Sequence, residues 1–132
     1  MWIDGAYSVV YGGEIGQGVA IIRIANGLVE GSDFVGGKYH GTATVDIAGN
    51  IDLDISITVP LQVLLVQGTS SQDVPHTRLI KHKFPRLFGD GKPQTIVVPP
   101  GTVTVMIKRL PDEQNDLAGQ MAVKGFELRV KS

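Results

Sequence analysis

Side chains able to do chemistry are few in this chain, and their spacing decides what they can do. The three histidines, His40, His76 and His82, show neither an HxH nor an HExxH spacing. A metal-binding barrel would need a close histidine pair followed by a carboxylate, so no metal or other cofactor is expected. Asp52 and Asp54 fall two apart in "IDLDISITV" and point to the same side of a strand. There water keeps both ionised, whereas an acid and base pair needs environments that push the two pKa values apart. With Asp46 they form an acidic rim suited to a basic partner. Basic residues gather in "RLIKHKFPRLFGDGK": Arg78, Lys81, Lys83, Arg86 and Lys92, with Phe84 and Phe88 interleaved. Cations among aromatics can grip single-stranded nucleic acid or an acidic protein surface, and Lys and Arg also guard the edge strand of a sheet. "GGEIGQG", Gly12 to Gly18, has glycines in the manner of a phosphate loop, but a strand follows where a phosphate site needs a helix N-terminus. No nucleophile has a base beside it, so no catalytic residue is assigned and no enzyme is expected.

The elements that must position these groups are strands. In "IDLDISITV" Ile51, Leu53, Ile55, Ile57 and Val59 alternate with Asp52, Asp54, Ser56 and Thr58. That period of two places the apolar set on one face of a half-buried sheet. The same rhythm puts Tyr7, Val9 and Tyr11 on one face, then Val103, Val105 and Ile107, then Phe126, Leu128 and Val130. Turn signals stand between the runs at Gly12-Gly13, Asn26-Gly27, Gly36-Gly37, Ala48-Gly49-Asn50, Asp90-Gly91 and Pro99-Pro100-Gly101. Asn-Gly is the sharpest of them, because a two-residue hairpin turn needs positive φ at both positions. Strands are expected near 3–11, 17–25, 28–35, 38–46, 51–59, 77–84, 94–98, 102–109, 117–123 and 125–131. Pro60 to His76 is the irregular connection, with an apolar start and a Gly-Thr-Ser-Ser-Gln-Asp part that reads as a mobile loop. The expected fold is all-β: an antiparallel meander closing into a barrel of about eight strands, since closure leaves no long unpaired edge.

Composition agrees with one domain over residues 1–132. Hydrophobic residues make up 42% and charged residues 19%, enough apolar surface to offset the entropy of ordering. Seventeen glycines, about twice the usual share, imply many turns. A net charge of -1 supplies no field to draw in nucleic acid, so no direct nucleic-acid binding is expected. Cysteine is absent, which excludes disulfides and thiolate metal sites. Residues 1–10 lack a secretory leader pattern, and no apolar run reaches the length of a membrane helix. The expectation is a soluble, cytoplasmic protein without a membrane partner.

"DGAYSVVY", "GQGVAIIRIANGLVEGSD" and "KYHGTATV" together resemble the GrlR-type negative regulators of type III secretion. The shared pattern is an Asp-Gly-x-Tyr-Ser strand, a Gly-x-Gly strand, a glycine turn and a strand with Tyr-x-Gly. Asp4, Gly5, Tyr7, Ser8, Gly16, Gly18, Gly31, Asp33, Tyr39 and Gly41 stand at the matching places, and the match spans roughly the first 45 residues. Beyond them only strand rhythm and "IVVPP" are similar. The resemblance implies a calycin-like or lipocalin-like eight-stranded barrel that forms a homodimer and binds a transcriptional activator. Regulators of that family can carry a short run of consecutive acids in the loop after the Tyr-x-Gly strand, used in activator binding; here the acids are dispersed as Asp46, Asp52 and Asp54.

The leading expectation is therefore a non-enzymatic regulatory or adaptor barrel that binds a protein partner through Asp46, Asp52, Asp54, Arg78, Lys81 and Lys83. Self-association is expected to use an apolar patch at Phe84 and Phe88. The alternative is a carrier barrel holding an apolar small ligand, which would need a connected interior cavity of a few hundred Å³.

Overall fold

A computed structural model of the chain describes residues 2–13, 16–34, 36–59, 76–98, 101–111 and 122. Its strands are β1 (Gly5–Gly13), β2 (Gly16–Ala25), β3 (Leu28–Asp33), β4 (Lys38–Val45), β5 (Ile51–Val59), β6 (His76–Phe84), β7 (Asp90–Val98) and β8 (Gly101–Arg109). They form one sheet in the order β6-β5-β4-β3-β2-β1-β8-β7, every pairing antiparallel. This is a meander whose first and eighth strands pair, from Tyr7↔Arg109 to Gly13↔Val103. The sheet thereby curls into a nearly closed barrel. Its two free edges, β6 and β7, are consecutive strands that no ladder joins among the described residues.

Alternation decides which side chains fill the interior. Ile51, Leu53 and Ile55 are buried and Ile57 packs against them in part, while Asp54 on the other face is exposed. Val103, Val105 and Ile107 on β8 and Tyr7 and Val9 on β1 behave in the same way. A shift of one residue in any of these registers would move a whole apolar set into water, so burial pins the register. Ile3, just before β1, is fully buried and closes the end of the barrel at which the chain begins, which we call the lower end.

The hairpins are built from local chemistry. Asn26 and Gly27 have φ of 53° and 80°, as the tight β2–β3 turn expected of Asn-Gly requires. The β3–β4 and β4–β5 turns share one device written Asp-x-x-Gly-x. In each, the Asp carbonyl accepts the glycine N–H, at 3.2 Å for Gly36 and 3.0 Å for Gly49. The Asp Oδ1 accepts the following N–H, at 2.6 Å from Gly37 and 2.9 Å from Asn50. Gly36 and Gly49 sit at φ of 97° and 88°, where a side chain would be strained. Asp46 is thus first of all a turn former.

Three expectations change. Gly12-Gly13 lies inside β1, paired with Gln17 and Gly16, rather than in a turn. Asp90-Gly91 opens β7 instead of preceding it, because a register irregularity between Asp90 and Pro93 lets the strand start four residues before the expected position 94. The expected strands 117–123 and 125–131 lie outside the described residues except for Ala122, which is buried with helical backbone, so at that residue no strand forms. The segment 60–75 of the irregular connection also lies outside them. Among the described residues no helix is long and apolar enough to cross a membrane.

Candidate functional site

The acidic rim and the basic stretch, read from sequence as two surfaces, meet as one. Antiparallel pairing of β5 with β6 sets Asp52 opposite Lys83 and Asp54 opposite Lys81. The Lys83 ammonium lies 2.5 Å from Asp46 Oδ2 and 3.5 Å from Asp52 Oδ1, and Lys81 lies 3.7 Å from Asp54 Oδ2. Lys83, helped by the N–H groups of Asn50 and Ala48, holds the Asp46 carboxyl below the usual carboxylate range, and Asp46 in turn raises the Lys83 ammonium. These pairs are solvated, so they add little net stability, yet they cancel the charge each side would offer a partner. An open depression of about 360 Å³ runs along this wall, lined by Asp52, Leu53, Asp54, Lys81, His82 and Lys83.

Arg78 does not share that wall. It pairs with Ile57, on the side of β6 that carries Ile80, His82 and Phe84, and is half-buried. The aromatics of the basic stretch also leave the surface: Phe84 and Phe88 are each 3% exposed. Phe88 packs on Tyr7 with ring centroids 5.0 Å apart, and His82 meets Phe84 edge-on at 4.6 Å. Alternation explains Phe84, four residues from Ile80 on the inward side of β6. Phe88 is carried inward by the 85–89 turn, where Asp90 N–H bonds the Leu87 carbonyl. The aromatic half of a nucleic-acid grip and the expected Phe84 and Phe88 dimer patch are therefore core. The three histidines stand on β4 and β6, and among the described residues no three His, Asp or Glu side chains gather as a metal would need.

The two ends of the barrel differ. At the lower end Tyr7 donates its hydroxyl hydrogen to the Ile3 carbonyl at 2.6 Å. Arg109 donates to Tyr7 Oη at 3.1 Å, to the Trp2 carbonyl at 2.9 Å and to the Asp4 carbonyl, with its guanidinium 5.5 Å from the Tyr7 ring centroid. Burial raises the Tyr7 hydroxyl while Arg109 partly opposes this. This is a clamp that holds the chain start over the core. The upper end, where β1, β3, β5 and β7 finish, carries polar groups on the inward side: Tyr11, Asp33, Tyr39 and Arg78. Tyr39 donates to Asp33 Oδ2 at 3.2 Å, and Tyr11 hydrogen-bonds Tyr39. Burial raises both tyrosine hydroxyls. The Tyr11 ring lies across Gly18, where a Cβ would come within 2.6 Å of the Tyr11 hydroxyl.

Sequence reasoning missed Arg109 and grouped Arg78 with Lys81 and Lys83, from which alternation on β6 separates it, and one signal finds both. Each occupies an inward position of an alternating strand, after Val103, Val105 and Ile107 in the first case and before Ile80 and Phe84 in the second. A cation in an apolar row marks an end of the barrel or a binding group.

On other strands than the charged wall lies an apolar one. On the outer face Val10 stands beside both Val19 and Met106, and Met106 beside Pro93, so a row crosses β2, β1, β8 and β7. Val10, Val19 and Met106 are 41%, 42% and 39% exposed. No known protein family, curated protein or solved structure matches the chain.

Proposed function

We propose that the chain is a non-enzymatic binding barrel that docks a protein partner on its outer wall. The observation that carries this reading is the exposed row Val19, Val10, Met106 and Pro93, continuous across four paired strands. Isolated apolar residues on a surface mean little, but a contiguous row loses more water on docking than its surroundings do. The interior argues in the same direction. Among the described residues, buried side chains from Ile3 and Tyr7 through Phe84 and Phe88 to Ile107 form one cluster along it. Such filling suits a scaffold that works through its outside. The charged β5–β6 wall, with its cations paired, adds register and solubility more than attraction. A transcriptional activator, the partner implied by the resemblance to GrlR-type regulators, and a second copy of this chain are the two occupants to test.

The test places a photo-crosslinking residue at Met106, identifies the captured protein by mass spectrometry from the source cells, and titrates that purified protein against variants. Val10 and Met106 are already more than half covered, so burying the remainder is worth about 1 kcal/mol each. Val10→Ser with Met106→Ser should therefore weaken binding by roughly 30-fold with little change in melting temperature. Concentration-dependent sedimentation abolished by the same variant would name a second copy as the occupant. Full affinity in the double variant would overturn the assignment.

A further inference from the structure

We propose that the upper end of the barrel binds a small amphiphile through its anionic head, with Arg78 as the group that receives the carboxylate or phosphate. Lys81 and Lys83 each have an acid within 4 Å, and Lys92 has Asp90 at 3.9 Å. Arg78 has no acidic or hydrogen-bonding partner among the described residues, although it is half-buried and stands on the inward side of β6. Holding an unpaired guanidinium part-way out of water is unfavourable unless something pairs with it. A planar fork of N–H donors fits a two-oxygen anion better than any other partner.

The surroundings supply the rest of a site. Register sets Tyr39, Ile57 and Arg78 in one row across β4, β5 and β6, with Ile80 next on β6. Ile57 and Ile80 are only partly covered, unlike Ile51 and Leu53 nearer the lower end. Apolar surface therefore remains beside the cation for a short tail. The Asp33 carboxylate accepts Gly37 N–H and the Tyr39 hydroxyl. Those bonds fix the Tyr39 ring. The wall beside Arg78 is also where main-chain ties are fewest, because β6 and β7 share no ladder among the described residues. This inference is independent of the outer apolar row, and its failure would leave that reading standing.

Laurate and dodecyl phosphate are the probes, with dodecanol and dodecyltrimethylammonium as neutral and cationic controls, all below their micelle concentrations. Titration calorimetry gives affinities and methyl NMR gives location. Both anions should bind the wild type with shifts at Ile57 and Ile80, and Arg78→Gln should weaken them by at least 10-fold, as for a lost charge-assisted hydrogen bond. Arg78→Lys should retain part of the affinity, Lys81→Gln all of it, and dodecanol should not respond to Arg78→Gln. Arg78→Gln should also melt no lower than the wild type, because an unpaired cation leaves the half-buried position. Dodecanol or the cation binding as tightly as laurate, shifts centred on Val10 and Met106, unchanged laurate affinity in Arg78→Gln, or no binding of either anion would each overturn the proposal.

Discussion

Replacing Arg109 with alanine should open the lower end of the barrel while leaving its strands in place. Arg109 donates to the carbonyls of Trp2 and Asp4, two acceptors on the described segment ahead of β1, and to the hydroxyl of Tyr7 within β1. A hydrogen bond from a charged donor contributes about 1.5–3 kcal/mol when buried. Arg109 is exposed and its three bonds share one ordering cost, so their joint worth is nearer ~2–3 kcal/mol. For a chain of this length that corresponds to a fall in melting temperature of roughly 8–12 °C. Part of it passes through Ile3, whose fully buried side chain stays in place only while the carbonyls around it are held.

The chain carries its own reporter of this event. Trp2 is the only tryptophan, and it is half exposed on the segment that Arg109 clamps. Thermal melts followed by far-ultraviolet circular dichroism and by Trp2 emission should coincide in the wild type. In Arg109→Ala the emission should shift to the red, with lower anisotropy, at temperatures where the strand signal is intact. Arg109→Lys should be intermediate, since an ammonium cannot reach three acceptors in one plane. Ile3→Ala alone should cost about 2–5 kcal/mol, and combined with Arg109→Ala it should cost less than the sum, the mark of two residues holding one segment. Additive losses, or a melting temperature within 2 °C of the wild type in Arg109→Ala with unchanged Trp2 emission, would refute the clamp (threshold about a quarter of the expected shift).

Two further outcomes follow from the paired charges and the inward histidine. Changing Lys81 and Lys83 to Glu sets like charges directly opposite Asp54 and Asp52, so the melting temperature should drop at low salt, recover in high salt, and recover when Asp52 and Asp54 are changed to Lys in the same chain; an unchanged melt at low ionic strength would show that the wall is electrostatically silent. Burial lowers the His82 pKa below its ordinary 6.5, so the unfolded chain binds the proton more readily than the folded one. The stability this gives is complete above pH 6.5 and is lost as pH falls from 6.5 through the folded value, a slope that chemical denaturation should show and that His82→Gln should remove.

What could be read in advance was the sheet, and the reason is periodicity. Ile51 to Ile57 and Val103 to Ile107 state their inward faces in a two-residue rhythm that any register must respect. Asn26-Gly27 likewise states its turn, because its backbone requirement is local. Asp90-Gly91 failed for the opposite reason. It has the composition of a turn, but the 85–89 segment already reverses the chain and β7 recruits the pair through an irregular register. The candidate site was legible in composition and illegible in pairing. Asp52, Asp54, Lys81 and Lys83 were identified as the surface charges of β5 and β6. That they face one another depends on the register between strands separated by residues 60–75, which no local signal fixes.

Asp33 and Asp46 show how far local chemistry goes and where tertiary position takes over. Both open an Asp-x-x-Gly-x turn, and both give Oδ1 to the main chain in the same way. The second carboxylate oxygen is left to whatever the barrel brings near. At the lower end it meets the Lys83 ammonium in water, and the result is a surface ion pair. At the upper end it meets the Tyr39 hydroxyl under cover, and the result is a fixed aromatic ring in the same row as Arg78, which has no acidic partner among the described residues. Identical turns therefore lead to an ion pair at one end and a buried tyrosine hydrogen bond at the other. The asymmetry lies in alternation on β6: Lys83 is at an outward position and Arg78, five residues earlier, at an inward one. Moving the cation from Arg78 to the outward neighbour, as Arg78→Thr with Thr77→Arg, should abolish anion binding while preserving net charge and fold. Retained binding in that exchange would mean the anion is held by the general field of the surface and not by the inward position.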